Sequence, residues 1–134
     1  FFNDDWYGFD DGHYAAFRLI EILKKSKSSL DNLMKDFPKA FSTPEMNINI
    51  EENKKFQIVE DFIAKADFGS ADKITIDGLR VNFNDGWGLL RASNTTPKLV
   101  LRFEADSPKR LNEIKNMFLT QLKKIDETIN IELS

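Results

Sequence analysis

A chain of 134 residues, 41% of them hydrophobic and twelve of them Phe, has room for one ordinary domain with a packed core, or for a small domain and part of another. Its 19 basic and 22 acidic side chains are mixed along the sequence and give a net charge of −3. This excludes a large positive surface potential, which is what attracts nucleic acids and anionic membranes nonspecifically. The sequence has no cysteine and no apolar run of about 18 residues, which excludes disulfides, thiolate metal sites and a membrane-spanning helix, and we expect a soluble protein of the cytoplasm.

The first 37 residues are predicted to hold short strands and two helices. Residues 1–9 are rich in aromatic and turn-forming residues, a composition typical of two short strands. Asp10 and Asp11 lie at N-cap positions before apolar residues at helical spacing, which predicts a helix over 12–25. A second, short helix is predicted over 30–37. We interpret residues 1–37 as a unit separate from the rest of the chain.

No catalytic or metal-binding set is predicted in this sequence. Four aspartates fall within residues 4–11, but they lack the spacing of a calcium loop and its terminal glutamate. His13 is the only histidine, and no serine or cysteine accompanies it in an evident catalytic arrangement. We therefore interpret the aspartates as helix caps and a solvated turn, and the histidine as a helix-surface residue.

A proline-containing stretch follows the second predicted helix. Residues 38–44 contain Pro38 and Pro44 and show little hydrophobic periodicity. Such stretches commonly connect domains and can act as hinges. We predict a linker at 38–44 and a second domain over 45–134.

The second domain is predicted to have a two-layer α+β fold. Apolar residues alternate with polar ones in a strand at 45–51, and helical spacing predicts a helix over 53–66 and another that begins near Pro108, with Asp106 or Ser107 as its N-cap. Four further strand segments are separated by turn signals that favour an antiparallel meander; they lie at 73–76, 79–83, 87–92 and 98–104. We predict a mostly antiparallel four-stranded sheet with two helices on one face, and a short strand within 126–134.

The loop after the strand at 87–92 is suited to binding a phosphate. Arg91 ends that strand, and three side chains that can donate hydrogen bonds follow in the loop: Ser93, Asn94 and Thr95. An arginine can meet two phosphate oxygens at once, while hydroxyls, an amide and turn N–H groups meet the others. The same residues are also ordinary in a β-turn beside a solvated arginine, so residue types alone leave both interpretations open.

The residues around this loop resemble a known family. The segments 86–88 (Gly-Trp-Gly), 91–97 (Arg-Ala-Ser-Asn-Thr-Thr-Pro) and 99–105 (Leu-Val-Leu-Arg-Phe-Glu-Ala) are similar to the phosphate-binding loop and its flanks in the C-terminal domain of the alpha-D-phosphohexomutase superfamily, and most similar to its bacterial phosphomannomutase/phosphoglucomutase branch. Residues 6–12 and 42–48 resemble the end of the third domain and the start of the fourth. The resemblance implies a TATA-binding-protein-like fold for 45–134, and a strand-and-helix remnant of an α/β sugar-binding domain for 1–37.

The resemblance also implies an activity for a longer enzyme. Members of the family interconvert hexose 1-phosphates and 6-phosphates through a phosphoserine and a bisphosphate intermediate, with Mg²⁺. The phosphoserine, magnesium and sugar-reading motifs are absent from this sequence, so we expect no catalytic residue or cofactor in this fragment and no activity of the chain alone. Mg²⁺ and hexose 1,6-bisphosphate are implied for the full-length enzyme. The implied partners are a phosphorylated hexose and the upstream domains of the same chain, with no nucleic acid and no membrane.

Individual site residues follow from the same resemblance. It implies that Arg91, Ser93, Asn94 and Thr95 hold the non-reacting phosphate of the substrate. Thr96 lies where other branches carry Glu, and we assign it to the support of the loop. Two further residues are assigned to such support: Trp87, expected to pack under the loop, and Gly88, expected to allow a close backbone approach.

Two other functions stay open at this point. A stand-alone α+β module that binds a ligand or RNA is disfavoured by the net acidity and by the lack of a basic aromatic strand. A structural or protein-interaction domain would make no use of Arg91. The sequence leaves the preference for mannose or glucose undetermined, because the sugar-reading loop of the family is absent.

Overall fold

The computed structural model describes residue 2 and residues 5–131, and the chain divides into two compact units. The first unit is Phe1–Pro38 and the second is Lys39–Ser134. The predicted strands within 1–9 and the predicted strand within 126–134 fall partly on residues 1, 3, 4 and 132–134, which lie outside the described residues.

The first unit is built from two helices. Helix α1 spans Gly12–Ser26 and confirms the predicted helix over 12–25; Asp11 is its N-cap and accepts a hydrogen bond from the backbone N–H of Tyr14 at 2.9 Å. Helix α2 spans Leu30–Met34 and is shorter than predicted. Residues 5–9 form bends and no strand, so their part of the strand prediction is wrong. Gly8 in this stretch has φ 76°, which is incompatible with an extended strand.

The second unit contains an antiparallel sheet and two helices, which confirms the predicted α+β class. The strands are β1 (Phe41–Ser42), β2 (Met46–Asn49), β3 (Asp72–Ile74), β4 (Leu79–Phe83), β5 (Gly86–Ala92) and β6 (Lys98–Ala105), and the helices are α3 (Lys55–Lys65) and α4 (Pro108–Ile125). The strand order is β1-β6-β5-β4-β3, and β2 also pairs with β6. No strand occurs within residues 126–131, where the structure is described.

The sheet has six strands where the sequence predicted four. Both β1 and β2 pair with the same edge of β6, which is long enough to accept them one after the other. Between them, the Thr43 N–H donates to the Phe103 carbonyl, and the Thr43 hydroxyl accepts from the Phe103 N–H. Pro44 has no N–H and interrupts the ladder there. The start of the second unit is thereby held along β6.

The core lies between the sheet and the two helices. Leu79, Leu90 and Leu101 are opposite one another on β4, β5 and β6, and all are fully buried. Phe118 of α4 fills the space above Gly88: a Cβ on that glycine would lie 2.5 Å from Phe118 Cε2. Strand and helix therefore approach more closely at this glycine than any side chain there would permit.

The other face of the sheet has neither α3 nor α4 on it, and we call it the helix-free face. Side chains alternate between the two faces of a sheet along each strand. The residues directly before and after a buried core residue in a strand therefore lie on the helix-free face. Arg80 and Arg102 are opposite Leu89 on its two sides, and Arg91 follows two residues after Leu89. Three arginines from three strands therefore share this face around one leucine.

Candidate functional site

The candidate site is the connection between β5 and β6, residues 93–97. Its ends are joined by a hydrogen bond from the Ser93 N–H to the Lys98 carbonyl at 2.9 Å, and the Lys98 N–H donates to the Thr96 carbonyl at 2.8 Å. Asn94, Thr95 and Thr96 are exposed, whereas Ser93 is half-buried. The loop is thus a short closed turn that presents its polar side chains to solvent.

Ser93 gathers the hydrogen-bond donors of the loop around its hydroxyl oxygen. Ser93 Oγ accepts from the N–H groups of Thr95 and Thr96 at 3.4 and 3.2 Å, and from Thr96 Oγ1 at 2.7 Å. Consecutive N–H groups aimed at one point form the kind of concavity in which anions bind. In this structure the serine oxygen occupies the point toward which these donors converge.

Arg91 lies near the end of β5, two residues before Ser93. Its side chain is 31% exposed, and Nη1 lies 3.5 Å from Oδ2 of Asp77, whose side chain is 65% exposed. Asp77 belongs to the turn between β3 and β4, and Gly78 in that turn has φ 77°, with space so limited that a Cβ would lie 2.6 Å from Arg91 Cβ. The guanidinium is therefore in a partly solvated ion pair rather than in a closed internal one.

The groups with shifted pKa values lie outside the loop, and Arg110 and Asp126 are two of them. A hydrogen bond from Arg110 to Asp85 raises the pKa of Arg110 and joins α4 to the turn before β5. Hydrogen bonds from Thr128 lower the pKa of Asp126 at the end of α4. Both shifts have structural causes, and neither belongs to the loop.

Of the three residues predicted to support the loop, Trp87, Gly88 and Thr96, only Thr96 has its contacts within the loop. Trp87 does not pack under the loop: its Nε1 donates to Glu104 at 3.3 Å, and its ring lies 4.0 Å from the Arg80 guanidinium carbon. That assignment was wrong, because Trp87 lies at the far end of β5, about 16 Å along the strand from Ala92. Gly88 packs against α4, as described above. Thr96 is bonded to Ser93 within the loop.

Two residues near the loop were missed from sequence. Asp77 pairs with Arg91 from a distant turn, and no local pattern indicates that contact. Lys55 is fully buried, and its Nζ donates to the Thr96 carbonyl at 3.2 Å. A usable signal existed for the lysine, because position 55 continues the apolar stripe of Val59 and Phe62 at helical spacing.

The described part of the chain holds neither a metal-binding cluster nor a membrane-spanning helix. Among residues 2 and 5–131, no cluster of three His, Cys, Asp or Glu side chains could hold a metal ion. In that same part of the chain, none of the helices is long and apolar enough to cross a bilayer.

The fold and loop define a two-layer α+β domain with a polar turn, preceded by an arginine, at the ends of two interior strands. The family model for the C-terminal domain of phosphoglucomutase/phosphomannomutase matches residues 45–121. The chain belongs to this phosphoglucomutase/phosphomannomutase family.

Individual relatives agree with this assignment. The chain is 51% identical over 131 residues to a phosphomannomutase/phosphoglucomutase of Pseudomonas putida, an alignment that covers 98% of this chain and 28% of the relative. It is 54% identical over 123 residues to a phosphoglucomutase of Neisseria gonorrhoeae, which covers 88% of this chain and 26% of the relative. A crystal structure of a phosphoglucomutase/phosphomannomutase family protein from Burkholderia thailandensis superimposes with a TM-score of 0.82 at 44% identity, over 97% of this chain and 27% of that one. The chain thus spans about 28% of the length of the curated relatives first compared.

Proposed function

We propose that residues 45–134 are the substrate-phosphate-binding domain of a phosphohexomutase that interconverts the 1- and 6-phosphates of mannose, glucose or both. The phosphate that does not react would be held by Arg91, Ser93, Asn94 and Thr95. The observation that carries the proposal is the convergence of the Thr95 and Thr96 N–H groups on one point beside an arginine-bearing strand end. Such an arrangement suits an anion with several acceptor oxygens.

Binding would proceed by exchange of partners within the loop. A phosphate oxygen can take the place of Ser93 Oγ as acceptor for the two N–H groups, and the Ser93 hydroxyl can then donate its own proton to the ligand. Arg91 would leave or share an exposed ion pair, which contributes at most about 1 kcal/mol. Each charge-assisted bond to phosphate contributes roughly 1.5 to 3 kcal/mol, so the exchange favours the ligand.

Holding the distant phosphate would position the sugar for chemistry elsewhere. Fixing the orientation of a reacting group can supply several kcal/mol of the barrier reduction. We infer that the phosphoserine, the Mg²⁺ site and the sugar-reading residues belong to upstream domains of a longer cytoplasmic enzyme, since this chain spans about 28% of its relatives. In this view residues 1–37 belong to the preceding sugar-binding domain, residues 38–44 allow closure over the substrate, and the 134-residue chain alone is inactive.

An NMR titration of the 134-residue chain with mannose 1-phosphate and glucose 1-phosphate tests the proposal. We expect amide shifts concentrated at residues 91–96, and loss of at least tenfold in affinity in R91A, since a charge-assisted contact of about 1.5 kcal/mol or more disappears. R80A is the matched control, because Arg80 lies on the same face but stacks on Trp87. Shifts centred elsewhere, or equal losses in R91A and R80A, would contradict the proposal.

A parallel titration with a single-stranded RNA oligomer separates this function from the RNA-binding alternative. RNA modules of this architecture stack bases on exposed aromatic rings of the sheet. The Trp87 ring is already covered on one side by the Arg80 guanidinium. We therefore expect no RNA response under conditions where the sugar phosphate shifts the loop, and tight RNA binding would favour the other function.

A further inference from the structure

Lys55 is a charged residue placed in the hydrophobic core. It lies in the first turn of α3, and its side chain has 0% exposure, although the residues next to it on the buried stripe are Ile58, Val59 and Phe62. Among the residues that the structure describes, Lys55 is the one charged residue that is buried. Burial of an ammonium opposes folding unless its protons find partners, so its contacts call for an explanation.

The contacts of Lys55 lead to the candidate loop. Its Nζ donates to the Thr96 carbonyl at 3.2 Å and lies 2.6 Å from Oε1 of Glu52. Glu52 is 65% exposed and provides the counter-charge from the surface. The ammonium therefore joins the interior of α3 to a loop that is far away in sequence.

The Thr96 carbonyl is a sensitive point of attachment. Pro97 follows it, so the peptide between Thr96 and Pro97 has no N–H, and its carbonyl is its only hydrogen-bonding group. Two donors fix that carbonyl: the Lys98 N–H at 2.8 Å and Lys55 Nζ. The same Thr96 residue supplies one of the N–H groups that converge on Ser93. Movement of Thr96 would thus displace a donor of the candidate anion site.

We propose that Lys55 is a positioning residue of the phosphate loop: it holds Thr96, through its carbonyl, in the orientation that aims the loop N–H groups at the ligand. The inference rests on the proposed function of the loop. A methionine of similar length would fill the core without the cost of a buried charge, and replacement of buried charges by apolar residues is often neutral or stabilising. Lysine adds three contacts that methionine lacks: the hydrogen bond to the Thr96 carbonyl, the ion pair with Glu52, and a cation–π contact with the Phe56 ring, 5.0 Å from Nζ. Only the first of these reaches the loop.

The variant K55M in the 134-residue chain tests this inference by NMR titration with mannose 1-phosphate and glucose 1-phosphate. We expect an increase of about tenfold in Kd, the effect of one lost hydrogen bond to a charged donor, and altered amide shifts of Ser93, Thr95 and Thr96 before any ligand is added. Amide shifts in α4 should stay unchanged, because the Thr96 carbonyl keeps the Lys98 donor and no charge is left buried.

Two control variants separate positioning from general stability and from the ion pair. I114V removes a methylene from a buried residue of α4 and lowers stability; Ile114 packs beside Gly86, at the end of β5 opposite to the loop. E52Q removes the carboxylate but retains the lysine donor to Thr96. We expect Kd values within about twofold of the unaltered chain for both, which is less than the effect of one typical hydrogen bond.

The outcomes distinguish this inference from the function on which it rests. If R91A abolishes binding while K55M leaves Kd and the loop shifts unchanged, the positioning role is wrong and the phosphate site stands. If I114V or E52Q weakens binding as much as K55M, stability or the ion pair explains the effect, and the positioning role is again wrong. No response to either sugar phosphate in the unaltered chain would overturn both proposals.

Discussion

Replacing Asp77 by asparagine should strengthen the binding of a hexose phosphate to the loop. Asp77 Oδ2 lies 3.5 Å from Arg91 Nη1, a separation at which two unit charges attract by about 1.2 kcal/mol in a water-like dielectric. The 65% exposure of Asp77 and the entropy of the paired side chains reduce the net contribution to below about 1 kcal/mol. A phosphate competes for the same guanidinium, so removing the carboxylate should lower Kd by about threefold to fivefold.

The measurement is a titration of D77N and the unaltered chain with glucose 1-phosphate at low and at high ionic strength. The advantage of D77N should shrink in high salt, because an exposed charge is readily screened. E60Q serves as the control, since Glu60 is an exposed residue of α3 and its loss changes the net charge equally. Weaker binding by D77N would refute the reasoning and would make Asp77 a residue that orients Arg91; an equal gain in E60Q would assign the effect to net charge.

Two further predictions concern the stability of the second unit. G88A should lower the free energy of unfolding by about 1 to 3 kcal/mol in urea, because its Cβ would overlap Phe118; an unchanged midpoint would mean that α4 moves away without cost. Asp126 should titrate below its usual pKa of about 3.9, because hydrogen bonds from Thr128 favour the carboxylate. Its stabilisation is therefore present above the unfolded-state pKa and is lost as pH falls through the lower folded-state value. T128V should return the Asp126 pKa, followed by NMR, toward the usual value, and an unaltered titration would contradict this cause.

Local signals in the sequence were sufficient to predict the bounds of several strands and helices of the second unit. The alternation of apolar and polar residues predicts the bounds of β4 without error, because Leu79 and Val81 are buried while Arg80 and Asn82, which follow them, are half-buried. Helix α4 begins at Pro108, with Ser107 as its N-cap, as the cap chemistry indicates. Both signals arise from the residue and its immediate neighbours, so no knowledge of the fold was needed.

Features that depend on tertiary contacts were not predicted. Strand β1 has two residues in a proline-containing stretch, and it exists because β6 offers an unoccupied edge. The prediction that Trp87 packs under the loop is wrong because residues of one strand that are close in sequence can lie far apart in space. The pairing of β5 with β6 places Glu104 beside Trp87. The buried position of Lys55 contradicts the usual exposure of lysine, and only the position of Thr96 in space explains it.

The attachment of β1 to β6 shows where the backbone of the second unit joins the sheet. Phe41 and Ser42 pair with Ala105 and Glu104, and the Thr43 N–H donates to the Phe103 carbonyl. Residues 41–43 are therefore held along β6, although they lie inside the proline-flanked stretch 38–44. A chain cut after Pro44 would leave this end of β6 with unpaired backbone groups, to which a strand of another molecule could add.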